Sequence, residues 1–202
     1  MENNHESFIS ANFQKYEAKL KEPGWVSAKK TPEYELFTRV EPDGYKTLQV
    51  HRIMDAPIQQ AFDLLFDSSQ ITKYDPSKQG RQDLEAGPNY KVLFALGKGN
   101  CLISPRDSCI LYGWRVDENG NYLITGCSYD HEKAPPVKGR VRAKVNIMAV
   151  KFEKVPGDEN KTVFKSMAQI NPVGLPAFVF NKKMLHQGEV WERFNNVLKK
   201  RK

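Results

Sequence analysis

The sequence is poor in cysteine and has no long apolar run. It has three cysteines, Cys101, Cys109 and Cys127, and no Cys-x-x-Cys pair. A disulfide framework or a cysteine-based zinc site needs more cysteines at closer spacing, so we expect three buried, reduced thiols and no metal site. The longest apolar runs are about five residues, whereas a membrane-spanning helix needs roughly 20. No membrane-spanning segment is therefore expected.

The motifs of the common enzyme classes are also missing. There is no Gly-x-Ser-x-Gly, no His-Glu-x-x-His and no phosphate-binding glycine loop. Four histidines are scattered along the chain, and His131 beside Asp130 offers one acid–base pair. We therefore predict a protein that is not an enzyme and binds no cofactor. An enzyme that uses His131 is the alternative.

Positive charge is concentrated at the C-terminal end. The formal net charge is +7, and residues 182–202 hold seven Lys/Arg against two acidic residues. A basic terminus can bind an anionic membrane or a nucleic acid, or it can be a solvated helix end whose cations favour the helix dipole. The remaining chain is nearly neutral, so no nucleic-acid partner is predicted. Residues 1–10 carry no secretory or myristoylation pattern, and we expect a cytoplasmic protein.

Hydrophobic periodicity predicts an α+β fold in one domain, residues 1–202. Helical spacing predicts helices at Glu6–Lys21, after Pro57 and around Ile71–Asp75, and a long helix from Pro176 to about Lys199. The apolar stripe of this long C-terminal helix consists of Phe180, Met184, Trp191, Phe194 and Leu198. A curved sheet that wraps around this helix would bury the stripe, and helices segregated from an antiparallel sheet define the α+β class.

Alternation of apolar and polar residues predicts about nine mostly antiparallel strands. They are Trp25–Lys30, Tyr34–Val40, Tyr45–Met54, Arg81–Glu85, Tyr90–Leu96, Asp107–Val116, Tyr122–Tyr129, Arg140–Val155 and Thr162–Asn171. Such a closed or strongly curved sheet is either filled by its own side chains or leaves an internal cavity.

Four short sequence passages, taken in their order along the chain, indicate a particular family and not only a fold class. They are Ile103-Ser-Pro-Arg-Asp107, Ser128-Tyr-Asp-His131 with Pro135-Pro136, Gly139-Arg-Val-Arg142, and Gln169–Pro176. This series resembles the START lipid-transfer domain over roughly residues 20–200, and Trp25 and Trp191 fit the same pattern. The resemblance implies a helix-grip fold whose tunnel holds one lipid, with the C-terminal helix as its lid.

The chain departs from the sterol-binding members that it resembles. Those members carry an Arg six residues after the position of Arg106, where this chain has Tyr112, and no acidic partner stands on Tyr90–Leu96. Their buried Arg–acid pair is therefore absent, which favours a phospholipid or sphingolipid-like ligand over a sterol. We predict non-enzymatic lipid binding and transfer. A helix-grip enzyme or a ligand-sensing module for a hydrophobic small molecule is the alternative.

If the resemblance sets the strand parity, one alternating set of side chains faces the tunnel. A 16-carbon acyl chain in water costs about 13 kcal/mol, so the set must be mostly apolar. The predicted lipid-binding residues are Val92, Phe94, Leu96, Ser108, Ile110, Tyr112, Trp114, Arg142, Asn146, Met148, Phe164, Ser166, Ala168, Phe180 and Met184. The alternative is that the same alternation fills a solid core.

The polar members of this set have two interpretations. Asn146 lies in a long apolar strand and must bond either a lipid or a neighbouring side chain, because a buried amide without a partner costs a few kcal/mol. Ser108 and Tyr112 offer the same choice. Arg142 either binds a phosphate or pairs with Asp107 or Asp130.

The last helix and the Gly97–Asn100 loop are the candidate lids, and Gly174, between two prolines, is a candidate hinge. Phe178, Lys182 and Lys183 are predicted to contact an anionic membrane transiently. The alternative is that the apolar residues 178–180 pack inward. We expect a monomer that is cytoplasmic and peripheral at membranes.

Overall fold

The computed structural model describes residues 2–100 and 103–201, so Cys101 lies outside the described residues. The helices are α1 Glu2–Lys21, α2 Ile58–Phe66, α3 Ile71–Tyr74, α4 Ala177–Met184 and α5 Gln187–Lys199. The strands are β1 Val26–Lys30, β2 Glu35–Val40, β3 Lys46–Met54, β4 Lys78–Gly87, β5 Tyr90–Gly97, β6 Arg106–Val116, β7 Tyr122–Ser128, β8 Val141–Arg142, β9 Lys144–Val155 and β10 Asp158–Asn171. In this part of the chain no helix is long and apolar enough to cross a membrane.

The strands form one curled sheet, which confirms the predicted α+β class. The order across the sheet is β1-β2-β3-β10-β9-β7-β6-β5-β4, and the neighbours along this path are antiparallel. The predicted strand Arg140–Val155 is divided at Ala143 into two strands. The short first piece, β8, pairs with β6 in parallel and raises the strand count from nine to ten among the described residues.

The inner face of the sheet buries the apolar stripe of α5. Trp191, Phe194 and Leu198 lie in a core cluster with side chains from most strands and from α2 and α3. A polar contact fixes the helix lengthwise, because the Asn195 amide accepts from the Asp55 backbone N–H and donates to the Asp55 carboxylate, both at 2.8 Å. Helix α5 is thus held at the start of α2 as well as against the sheet.

The predicted single C-terminal helix is two helices in the structure. Helix α4 ends at Met184, and α5 begins at Gln187 after a turn at Leu185 and His186. Gly188 permits the close approach of α5 to β2, because a Cβ there would lie 2.1 Å from the Tyr34 ring. The break lets the two segments follow different directions over the mouth of the curled sheet.

The outer face of the sheet is covered by α1. Ile9, Phe13 and Tyr16 of this helix are buried in a second core cluster with residues of β5, β6, β7, β9 and β10. A Cβ at Gly113 would lie 2.3 Å from Ile9, so this glycine is what allows the helix to dock closely. The central strands are therefore apolar on both faces.

A buried carboxylate joins α1 to the hairpin of β2 and β3. Glu41 is only 5% exposed and accepts hydrogen bonds from Lys19 at 3.0 Å, from Arg39 at 2.7 Å and from the Thr47 hydroxyl. Burial opposes the charge, but these hydrogen bonds outweigh burial and lower the pKa of Glu41. Its contribution to stability is therefore present at neutral pH and is lost as the pH falls through the lowered pKa.

Replacing Glu41 by glutamine should lower the free energy of unfolding at neutral pH by about 2–4 kcal/mol, because Lys19 and Arg39 lose their common anion in a buried site. Urea unfolding at pH 7 measures this. The wild type should lose the same contribution progressively as the pH falls below the ordinary pKa of a glutamate and through the lowered pKa of Glu41, so the two proteins should converge at acid pH.

The matched control is Glu17→Gln, which removes another link from α1 to the sheet. Glu17 contacts Arg115 at 2.6 Å with both side chains about half exposed. An exposed ion pair contributes less than about 1 kcal/mol. Equal losses in the two variants would contradict the role assigned to Glu41.

Candidate functional site

The interior of the curled sheet holds a cavity of about 220 Å³. Strands β5, β6 and β9 form its floor, and α3 and the first turn of α5 form its roof. Its apolar wall consists of Leu65, Phe66, Ile71, Leu93, Ala95, Ile110, Ala143, Val145, Met148, Val150, Ile170, Val190 and Trp191. A largely apolar site of this kind favours an apolar ligand or ligand segment.

The polar groups of the cavity wall come mainly from α3, β4 and β6. They are Tyr74, Asp75, Ser77, Lys78, Arg81, Arg106, Asp107, Ser108, Tyr112 and Gln187. Both carboxylates already have partners, since Asp75 accepts from the Ser77 hydroxyl at 2.5 Å and Asp107 pairs with Arg142. The uncommitted polar groups are therefore mainly hydroxyls and cations.

Two tyrosines contribute hydroxyls to this wall. Tyr74 is 3% exposed, and its hydroxyl has no hydrogen-bond partner among the described residues. Burial raises the pKa of Tyr74 and raises that of Tyr112 to about 12. Both hydroxyls are therefore protonated at neutral pH and can donate a hydrogen bond.

Aromatic side chains pack closely beside the cavity. The Trp114 ring packs against Phe62 and Phe66, with centroids 5.4 Å and 5.0 Å apart. Phe164 and Trp191 pack at 4.5 Å. Phe66 and Trp191 also line the cavity, so the interior contains both packed side chains and open space.

The predicted lipid-binding residues divide between these surroundings. Ser108, Ile110, Tyr112 and Met148 line the cavity. The inner core cluster, outside the cavity wall, contains Trp114, Phe164, Ala168, Phe180 and Met184. Ser166 is buried on β10 and is likewise absent from the cavity wall. A lipid-binding role for the four lining residues stays a prediction.

The parity expected for β5 is wrong. Val92, Phe94 and Leu96 pack in the outer cluster, whereas Leu93 and Ala95 line the cavity. All five residues are apolar, because α1 covers the outer face of this strand. A strand that is apolar on both faces carries no alternation from which the inward face can be read.

Asn146 does not line the cavity, because it is the extra residue of a β-bulge. Ile147 pairs with Gln169 and Val145 pairs with Ile170, which leaves Asn146 without a partner residue on β10. Its carbonyl accepts hydrogen bonds from Lys15 at 2.8 Å and from the Cys127 thiol at 2.7 Å. A bulge reverses the parity of a strand, so Val145 and Met148 both line the cavity although they are three residues apart.

Arg142 is also outside the cavity wall and makes structural contacts. Its guanidinium pairs with Asp107 and donates to the carbonyl oxygens of Ala134 at 3.0 Å and Pro135 at 3.2 Å. Of the two interpretations of Arg142, the structure thus supports the ion pair with Asp107. The pair ties the segment after β7 to the start of β6.

Arg106 holds the turn that precedes α4. It donates to the carbonyl oxygens of Pro172 and Val173, both at 3.2 Å, and to that of Ser104. Val173 and Gly174 have φ angles of 52° and 70°, a left-handed conformation that is costly for a β-branched residue. The candidate hinge is thus a strained turn held from β6.

The predicted membrane-contact residues lie on α4. Phe178 is 78% exposed, and Lys182 and Lys183 are exposed as well. Phe178 and Lys182 are four residues apart and therefore share a helix face. Phe180 points elsewhere, since its ring packs against Tyr45 with centroids 6.0 Å apart. Residues 178–180 thus do not all pack inward.

The remaining titratable candidates lie outside the cavity. His131 contacts Glu85 at 3.2 Å rather than forming a pair with Asp130 in the cavity wall. Cys109 and Cys127 are free and buried, and burial raises the pKa of Cys109 to about 11, which keeps the thiol protonated. No group of three or more metal-ligand side chains occurs among residues 2–100 and 103–201.

A comparison with protein-family models now identifies the family. The model of the START domain matches residues 11–189. The chain belongs to the START-domain family. No curated protein sequence matches the chain.

Solved structures of START proteins confirm the predicted helix-grip fold. Human StAR-related lipid transfer protein 5 is 16% identical, with 99% of each chain covered and a TM-score of 0.88. Human STARD10 is 22% identical, with 93% of this chain and 78% of that chain covered and a TM-score of 0.82. A STAR-related lipid transfer protein from Xanthomonas axonopodis is 15% identical, with 88% and 99% covered and a TM-score of 0.77.

Sequence reasoning missed several residues of this START-domain cavity. Tyr74 and Arg81 lie on α3 and β4, two elements that were predicted but given no role in the site. Gln187 and Val190 belong to the first turn of α5, where only the apolar stripe was considered. A single polar residue in an otherwise apolar short helix would have indicated a site, but Tyr74 does not stand in such a helix. None of these residues was marked by the sequence as part of the site.

Replacing Ala95 by leucine should leave the free energy of unfolding unchanged or raise it by up to about 1 kcal/mol, because the added methyl groups enter an apolar cavity. The matched control is Ala149→Leu on the packed outer face, where overfilling should cost about 1–3 kcal/mol. Urea unfolding of both variants measures the difference. A similar destabilisation in both would show that no usable space lies beside Ala95.

Proposed function

We propose that the protein binds one lipid in the internal cavity and transfers it between membranes without catalysing a reaction. The observation that carries this proposal is the largely apolar cavity between the sheet and α5 in a chain of the START-domain family. An apolar ligand gains free energy there because its surface leaves water. The described cavity wall contains no histidine or cysteine, which supports binding rather than catalysis.

A phospholipid or sphingolipid-like ligand is favoured over a sterol in this proposal. The β5 residues that line the cavity are Leu93, Ala95 and Gly97, so the corrected parity still places no acid on that strand. Tyr112 on β6 occupies the position where the sterol-binding pattern has an arginine. The cavity therefore offers hydroxyl groups where that pattern has a buried ion pair.

Entry of a whole lipid requires a movement of the roof. The cavity of about 220 Å³ is smaller than the roughly 300–1,000 Å³ of typical small-molecule sites. The C-terminal segment is the proposed gate, because it has a turn on either side of α4, at Val173–Gly174 and at Leu185–His186. Displacing α5 would open the cavity along Val190 and Trp191.

Helix α4 is the proposed membrane contact. Exposed Phe178 can enter the apolar layer while Lys182 and Lys183 meet anionic head groups. This contact would place the membrane beside the Val173–Gly174 turn, where the proposed gate starts. The proposal includes a cytoplasmic location, a monomeric state and transient binding to anionic membranes.

Purified protein should carry one lipid per chain in native mass spectrometry. Ala95→Trp should lose most of the bound lipid, because the larger side chain fills the cavity. Val40→Trp is the control, since Val40 is 61% exposed and the same ring is added outside the cavity. Repeated preparations with no bound lipid, or full occupancy in Ala95→Trp, would overturn the proposed carrier function.

The double variant Phe178→Ala/Lys182→Glu should bind phosphatidylserine-containing vesicles at least about ten-fold more weakly. One apolar side chain loses its burial and one attraction to the membrane becomes a repulsion. Co-sedimentation with vesicles measures the binding constant.

The matched control is Val26→Ala/Lys30→Glu, which makes the same change of charge and truncates another exposed apolar side chain, on the edge strand β1. Its binding should stay close to that of the wild type. Equal weakening in both double variants would point to a loss of net positive charge in general and would remove α4 as the contact.

A further inference from the structure

Arg81 is a cation of the cavity wall without an ionic partner. Its Nε donates to the Ser68 hydroxyl at 3.0 Å and its Nη2 to the Leu65 carbonyl at 2.7 Å. It makes no direct ion pair with the described residues. The nearby carboxylate of Asp83 is bonded by Lys91 at 2.5 Å and by the Ser68 hydroxyl, which links it to Arg81. A guanidinium has five N–H donors, so Arg81 keeps donors for another group.

The other arginines near the cavity are already committed. Arg106 donates to three backbone carbonyl oxygens, and Arg142 pairs with Asp107. Lys78 adds a further cation to the wall, while Asp75 is held by the hydroxyl and the N–H of Ser77. Asp107 is neutralised by Arg142, so the wall keeps three cations, Lys78, Arg81 and Arg106, against the one carboxylate of Asp75 and carries a net positive charge.

Two hydroxyl donors lie near Arg81. The Tyr74 hydroxyl is buried and makes no well-aligned hydrogen bond with the described residues, although the Arg81 guanidinium lies close enough to act on its oxygen as a donor. Its own O–H has no acceptor among these residues, which costs free energy unless a ligand accepts from it. Burial is the main influence on Tyr74 and Tyr112, but the positive charge of Arg81 also acts on both hydroxyls and opposes the effect of burial on their pKa. The three polar groups thus surround one part of an otherwise apolar cavity.

We infer that Arg81, Tyr74 and Tyr112 form a head-group subsite for an anionic oxyacid, a phosphate or a carboxylate, at the end of an amphiphilic ligand. All three groups are donors, and an oxyanion supplies several acceptors together with the missing negative charge. The apolar part of the ligand then lies against Leu93 and Met148. This inference rests on the proposed lipid binding and specifies the chemistry of its ligand.

The test is displacement of the neutral dye Nile red by three ligands with the same 12-carbon chain, below their critical micelle concentrations. Dodecyl phosphate and dodecanoate should bind at least ten-fold more tightly than dodecanol. Preference for one anion over the other assigns the source of the oxyacid group, and either preference supports the subsite.

Arg81→Gln should weaken both anions at least ten-fold and leave dodecanol unchanged, since glutamine removes the charge but can still bond the Leu65 carbonyl. Arg115→Met is the control for net charge, because Arg115 is 55% exposed and lies outside the cavity wall. If Arg81→Gln does not fold, Tyr74→Phe replaces it. This variant removes one unpartnered hydroxyl and should weaken the anions about three-fold without a loss of thermal stability.

The outcomes separate this inference from the proposed function. Equal binding of the three ligands, or equal effects of Arg81→Gln and Arg115→Met, would overturn the subsite while lipid binding stands. If no ligand displaces the dye and no lipid is found by native mass spectrometry, both the inference and the proposed function fail.

Discussion

The structure depends on a sheet that curls around a helix too small to fill it. Trp191 and Phe194 of α5, with Phe164 of β10, close-pack part of the interior. Elsewhere the side chains of the roof and floor do not meet, and a cavity remains. Protein interiors are otherwise close-packed, so an empty apolar space costs stability that a ligand can restore. The same mismatch thus creates the site and makes its occupancy favourable.

The floor of the cavity is supported from behind. Helix α1 covers the outer face of the central strands, and Gly113 lets Ile9 approach the sheet closely. The floor strands cannot move without disrupting the second core cluster, which packs against their outer face. The proposed movement that admits a ligand is therefore assigned to the roof, where the C-terminal segment has turns at either end of α4.

The passages that resemble the START domain serve mainly to hold this architecture. Arg106 fixes the turn before α4, and Arg142 with Asp107 fixes the segment after β7. Arg106 is thus bonded to backbone carbonyl oxygens, and Arg142 and Asp107 neutralise each other. The polar groups of the proposed head-group subsite, Tyr74, Arg81 and Tyr112, come from outside those passages. The family pattern and the proposed subsite are thus different sets of residues, although Arg106 and Asp107 also border the cavity.

The sequence by itself determined the α+β class and nearly all of the elements, because period and turn residues are local properties. The resemblance to the START domain supplied the helix-grip arrangement and the strand parity that placed Ser108, Ile110, Tyr112 and Met148 inward, and these four residues line the cavity. Only the tertiary structure decided the inward face of β5, which is apolar on both sides beneath α1.

The tertiary structure alone also decided the bulge at Asn146, the break between α4 and α5, and which part of the interior is open. Each depends on how distant elements meet: Asn146 on its contacts with Lys15 and Cys127, and α5 on its approach to Tyr34. Periodicity reports the faces of single elements. Space between elements is a property of their packing, and no local pattern encodes it.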